Sequence, residues 1–202
     1  MTLTEVRGFT APSNNPNDLA FSGVHLHSTD GVTDRVYCFT RQGTVLHSFI
    51  APDATPIGLT FDGKYLWLAG DSANDIYQLS IDGTNLRSFN SPGAKPRGLA
   101  FDGKHLWNCD HGTHRLYMLD LDGRIIKSFA TPNDAPCGLT FDGKYLWLVD
   151  KESDLYHTLD LDGNVIHSAP TGIGSMRGLT FDGYHFWVIS DATNKVYQLA
   201  RN

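Results

Sequence analysis

The chain has 202 residues, 41% of them hydrophobic, with a net charge of −6 and a pI near 5.8. That balance excludes a general nucleic-acid or membrane-surface role, which calls for a basic face, and no apolar run approaches the eighteen or so residues of a membrane helix. Three cysteines make no disulfide framework, and the opening MTLTEVRGFTAPS lacks the charged-then-apolar pattern of an export signal, so a reducing, cytoplasmic setting is expected.

Taken in chain order, residues 3–10 hold a short β-prone run, EVRGF, with no neighbouring strands of its own. A unit then begins that returns every forty residues. It reads DLAFSGVHLH at 18–27, GLTFDGKYLW at 58–67, GLAFDGKHLW at 98–107, GLTFDGKYLW at 138–147 and GLTFDGYHFW at 178–187. A fixed period of that length is one supersecondary element repeated.

The second copy predicts four strands. Gly58–Phe61 and Tyr65–Leu68 flank Asp62-Gly63, read as a two-residue hairpin turn in which both residues tolerate positive φ. A polar loop, Gly70–Asp75, leads to Ile76–Ile81. A second Asp-Gly turn follows, then Asn85–Phe89 and a Pro-bearing linker to the next copy. Four short antiparallel strands per forty residues predict a blade, and five copies predict an all-β, five-bladed β-propeller in one domain over 1–202. The repeats start near 17, 57, 97, 137 and 177. Asn202 aligns with Asp82 and Asp122, and Thr4 with Thr44 and Thr84, so residues 3–10 are expected to complete the fifth blade and close the ring.

The blade text GLxFDGxxLWxxD…IYxLDxDG resembles the NHL, streptogramin-lyase and gluconolactonase-like repeats over the whole chain. The resemblance implies the architecture. It carries over no catalytic residue, because such repeats serve lyases, lactonases and pure binders alike.

Residues present in nearly every copy read first as scaffold. Trp67, Trp107, Trp147 and Trp187 are expected to fill the wedge between blades, with sugar stacking as the rival reading. Asp62, Asp102, Asp142 and Asp182 read as turn residues ahead of a ring of metal ligands. Tyr37, Tyr77, Tyr117 and Tyr197 belong to the core of the third strand. The histidines at 25, 105 and 185 share a strand position with Tyr65 and Tyr145 and read as half-buried packing.

Function is sought where the copies differ. Tight turns join strands one to two and three to four, so the longer loops must share the opposite face. On that face Asn17, Ile57, Arg97, Cys137 and Arg177 precede each innermost strand and should ring the channel mouth. Asp30, Asp110 and Asp150 end the second strands of their blades, with Lys151 and His111 beside them. These aspartates read as caps of their own loops or as ligand contacts. Cys109-Asp110-His111, His114 and Cys137 lack the paired spacing of a zinc site, and no metal residue is assigned. A Cys109–Cys137 disulfide and a central divalent cation remain alternatives. Cys38 reads as an ordinary strand residue. The fourth blade diverges, with His157 for tyrosine and Ala169 for phenylalanine, and the linker from Thr171 to Arg177 is glycine-rich.

The leading expectation is a monomeric binding module for a small polar or anionic ligand, or for a protein partner. Its site residues are Asn17, Asp30, Arg97, Asp110, His111, Cys137, Asp150, Lys151 and Arg177. The alternative is a metal- or histidine-assisted lyase or hydrolase using His111, Asp110 and Asp150. A multivalent lectin with one sugar site per blade is the third.

Overall fold

The computed structural model describes residues 2–201, so the alignment of Asn202 with Asp82 and Asp122 lies outside the described residues. The described residues form twenty strands in five antiparallel sheets of four. In the second blade the order is β6 (Pro56–Phe61), β7 (Leu66–Gly70), β8 (Asp75–Leu79) and β9 (Asn85–Asn90). The five first strands face one another around an axis: β2 (Pro16–Phe21), β6, β10 (Pro96–Phe101), β14 (Pro136–Phe141) and β18 (Met176–Phe181). The second strands, such as β7, are buried along their whole length, because each blade is covered on both faces by its neighbours.

Ring closure follows the sequence expectation. Strand β1 (Leu3–Thr10) pairs antiparallel with β20 (Lys195–Arg201), from Leu3 opposite Arg201 to Thr10 opposite Lys195. The fifth sheet therefore runs β18, β19 (Phe186–Ser190), β20, β1. Phe9 carries this closure into the core, with its ring 6.3 Å from Trp187 and 6.1 Å from Phe39.

The core is five clusters, one per blade interface. Trp67 packs on Leu99, Leu106 and Leu119 of the next blade. Trp107 packs on Leu139, Leu146 and Leu159, Trp147 on Leu179, Phe186 and Val188, and Trp187 on Leu19, Leu26 and Phe39. All four indoles are fully buried, yet each keeps its N–H satisfied. The turn aspartate five residues earlier accepts it: Asp62 at 2.7 Å, Asp102 at 2.8 Å, Asp142 at 2.9 Å and Asp182 at 2.8 Å.

This corrects the expected turn. The glycines at 63, 103, 143 and 183 lie at positive φ, but the aspartates before them do not, so the turn is not the mirror-image two-residue type. The other Asp62 oxygen accepts the amides of Lys64 and Tyr65, capping a longer turn whose geometry the carboxylate sets. Blade one makes a paired replacement. His27 stands where the others have Trp, Ser22 where they have Asp, and Nε2 of His27 still meets Oγ of Ser22 at 3.0 Å.

Candidate functional site

The long-loop face holds a cavity of about 340 Å³ at the axis, and all five residues preceding the innermost strands line it: Asn17, Ile57, Arg97, Cys137 and Arg177. His111 and Lys151, from the loops after the second strands of blades three and four, line it too. So does Glu152, which the sequence reading did not single out. Its column holds Val32, Ser72, Gly112 and Ala192 in the other copies, so a single charged residue there was the available signal.

Both arginines are held by carboxylates. Arg97 Nη1 meets Asp71 at 3.0 Å and also donates to the carbonyl of Pro96. Arg177 Nε donates to Asp191, which also takes Lys151 Nζ at 3.1 Å and the hydroxyl of Ser175. Burial alone would raise the Asp191 carboxyl, but Ser175, Arg177 and Lys151 together hold it at about 2. Among the described residues, the two Nη groups of Arg177 and the Nε and Nη2 of Arg97 make no hydrogen bond to protein. The guanidinium forks are thus anchored on one side and open on the other, which suits a planar anion.

The three aspartates of the sequence reading do not join this cavity. Asp30, Asp110 and Asp150 are buried and directed into their own loops. Asp110 accepts the amides of Thr113 (2.7 Å) and Lys95 (2.8 Å). Asp150 accepts those of Ser153 and Ala135, and Asp30 those of Val32, Thr33 and Asn15. Each carboxylate ties its loop to the incoming linker.

Cys137 sits between the arginine positions on the ring, where its thiol lies against the carbonyls of Val149 and Met176, and burial pushes it up to about 12. Cys109 is buried and raised as well. Both are free thiols, so the disulfide alternative is not formed. His114 turns away to the carbonyl of Asp134 at 2.7 Å. Among the described residues no three His, Cys, Asp or Glu side chains gather as a metal site would require.

One layer below the mouth, four innermost strands carry glycine (Gly58, Gly98, Gly138 and Gly178) and the first carries Asp18. Asp18 is 1% exposed. It accepts the amides of Leu19 at 2.8 Å and Leu59 at 2.9 Å, with further contributions from Leu179 and Leu99. The axis is therefore closed beneath the cavity, which is a blind cup and not a pore.

No protein-family model matches the chain, and no curated protein matches it in sequence. Solved structures do. Myxococcus xanthus glutaminyl cyclase matches with a TM-score of 0.86 at 13% identity, over 98% of this chain and 95% of that one. The chain is a five-bladed β-propeller. A catalytically inactive virginiamycin B lyase from Staphylococcus aureus, solved with quinupristin, matches with a TM-score of 0.61 at 20% identity, over 96% and 69%. A chain of a nidogen/laminin complex matches with a TM-score of 0.64 at 26% identity, over 82% and 67%. Enzymes are thus among the neighbours of this fold, alongside a protein–protein complex.

Proposed function

We propose that the protein is a binding module whose long-loop face takes a small anion, carboxylate- or phosphate-bearing, between Arg97 and Arg177. The observation that carries this reading is the pair of guanidinium groups lining one cavity, each fixed by a carboxylate and each with unengaged donors. A fixed fork loses less freedom on binding than a free arginine does. Lys151 adds a third cation, but Asp71 and Asp191 already pair with these groups and Glu152 opposes a second negative group on its side of the cup. A monoanion or a singly bridged dianion suits this balance better than a polyphosphate.

The test is a thermal-unfolding and calorimetric titration with inorganic phosphate, citrate and acetate, on the wild type and on Arg97→Ala/Arg177→Ala. Saturable stabilisation of the wild type, absent from the double variant at unchanged fold, is expected. Equal affinity in both proteins, or no response to any of the three anions, overturns the assignment.

The enzyme reading keeps a narrower footing. His111 and Glu152 share the cavity and could move a proton, whereas Asp110 and Asp150 are committed to their loops. Two of the similar structures are a cyclase and a lyase, which is compatible with that reading but supplies no residue for it. The lining differs from blade to blade, which gives no support to one sugar site per blade.

A further inference from the structure

The floor of the cup raises a separate question: why four glycines and one aspartate meet at the axis. A closed ring of sheets still has one unpaired edge per sheet on the inside, where the amides of the innermost strands point at the axis without a ladder partner. Buried amides left unsatisfied are costly. Side chains cannot supply acceptors from every strand, because the strands approach too closely. A Cβ on Gly58 would collide with the carbonyl of Arg97, one on Gly98 with the amide of Leu139, and one on Gly138 with the carbonyl of Arg177. One side chain fits, and a Cβ on Gly178 would collide with it: the carboxyl of Asp18.

Blade one is adapted to carry that residue. The Asp18 amide donates to Thr29 Oγ1 at 3.1 Å, and the same hydroxyl donates to the carbonyl of Ile57 at 2.7 Å. The other copies have Ala69, Cys109, Val149 and Ile189 in the place of Thr29. A polar pair, Asp18 with Thr29, thus replaces glycine with an apolar residue in one blade out of five.

We propose that the ring of inner-edge amides is an anion-binding site, and that Asp18 is the ligand the chain carries for it. The donors come from Leu19 and Leu59 directly, with Leu99 and Leu179 behind them, so four blades contribute to one carboxylate. A concavity of convergent backbone N–H groups selects anions by geometry and partial charge, with no need of a cationic side chain. It also disfavours a cation on the axis. Emptied of its tethered carboxylate, the site should take a small monovalent anion of similar reach, such as chloride, bromide or formate. Burial is the larger influence and holds the Asp18 carboxyl well above the usual carboxylate range although the four amides lower it, and a direct test separates a bound anion from a neutral acid.

Asp18→Gly gives blade one the residue its four counterparts have, and Asp18→Asn keeps the shape without the charge. Melting temperatures are measured in sodium gluconate, with chloride, bromide or formate added at constant ionic strength and the wild type as control. Asp18→Gly should melt well below wild type in gluconate and recover by several degrees, saturably, with the small anions, while the wild type stays flat. Crystals of that variant grown in bromide or iodide should show an anomalous peak on the axis. Asp18→Asn should also melt below wild type, without recovery, because its amide fills the space and brings donors to donors. An Asp18→Gly protein as stable as wild type in gluconate, or responding to halide no more than wild type, overturns the proposal. So does an Asn variant with the wild-type melting temperature, which settles the matter if the glycine variant does not fold.

Discussion

Asp53 supplies the carboxylate that Gly70 lacks. In blades one, three and four the residue ending the second strand is an aspartate that caps the following loop, but blade two has Gly70 there. Asp53, seventeen positions earlier in the linker, reaches into the vacated space and accepts the amides of Thr55, Ser72 and Ala73. Blade three is its mirror, with Asp110 as the cap and Gly93 where Asp53 would be, and a Cβ on either glycine would collide with the facing carboxyl. Asp53→Ala should therefore cost about 2–3 kcal/mol, as expected for a buried acceptor of several amides. Gly70→Asp alone should also destabilise, by crowding two carboxylates together. The double change Asp53→Gly/Gly70→Asp should return to within about 1 kcal/mol of wild type by urea denaturation, a strong departure from additivity. An additive double variant would show that the two positions do not share one role.

The indole–aspartate pairs make a second prediction. Trp107→Ala should cost about 3–5 kcal/mol, the range for removing a fully buried large side chain. Trp107→Phe keeps much of the ring but leaves Oδ2 of Asp102 with His105 Nδ1, at 3.1 Å, as its remaining side-chain partner. Its cost should be about 1–2 kcal/mol. Equilibrium denaturation of the two variants side by side separates packing from hydrogen bonding.

His27 should make stability fall in mild acid. Burial lowers this imidazole to about 4, with His47 and His25 adding repulsion, against an ordinary value near 6.5. The folded protein keeps it neutral while the unfolded chain takes up a proton below about 6.5. Stability is thus full above that pH, declines as pH falls toward 4, and levels off below. The loss is at most about 3 kcal/mol at 1.36 kcal/mol per unit. His157, also lowered chiefly by burial, acts in the same direction. Denaturation midpoints at pH 7.5 and pH 4.5 read the slope, and His27→Trp with Ser22→Asp, which installs the pair the other blades use, should flatten it.

Removing residues 1–10 should lower the melting temperature by about 10 °C or more, at roughly 2–4 °C per kcal/mol for a domain of this size. That deletion strips the outer strand from the fifth blade and takes Phe9 from Trp187. A truncated protein with the wild-type melting temperature would show that the ring does not depend on this strand.

The architecture was legible because it is written five times: the Gly-to-Trp run fixes strand, turn and interface in every copy. The mouth of the axis was legible too, since aligned positions before each innermost strand had to meet, and Arg97, Cys137 and Arg177 do line one cavity. What stayed hidden depends on side-chain direction. Period and spacing place Asp110 on the correct rim but do not say that its oxygens point into the loop. The partners Asp71 and Asp191 were visible as residues but not as the anchors of the arginines. Asp18 opens the copy whose Gly-to-Trp run departs furthest from the others, DLAFSGVHLH, and an aspartate in a column of glycines is a departure that comparison of the copies displays. Ala169 departs from the phenylalanine of the other copies. It packs on the same cluster as Leu3, at the interface between the fourth blade and the blade that β1 completes.

Closure of the ring by β1 also sets a schedule for biosynthesis. Strand β1 finds its partner, residues 195–201, only after every strand between them has been translated. At about 5–20 residues per second that is a wait of roughly 10–40 s. Through that interval the exposed flank of the growing sheet stack has no cover, and Phe9 has no Trp187 to meet. Emergence of residues 195–201 from the ribosome, not the folding of any single blade, is the moment at which this ring can close. Chaperone capture of the nascent chain is therefore expected to be heaviest just before residues 195–201 emerge.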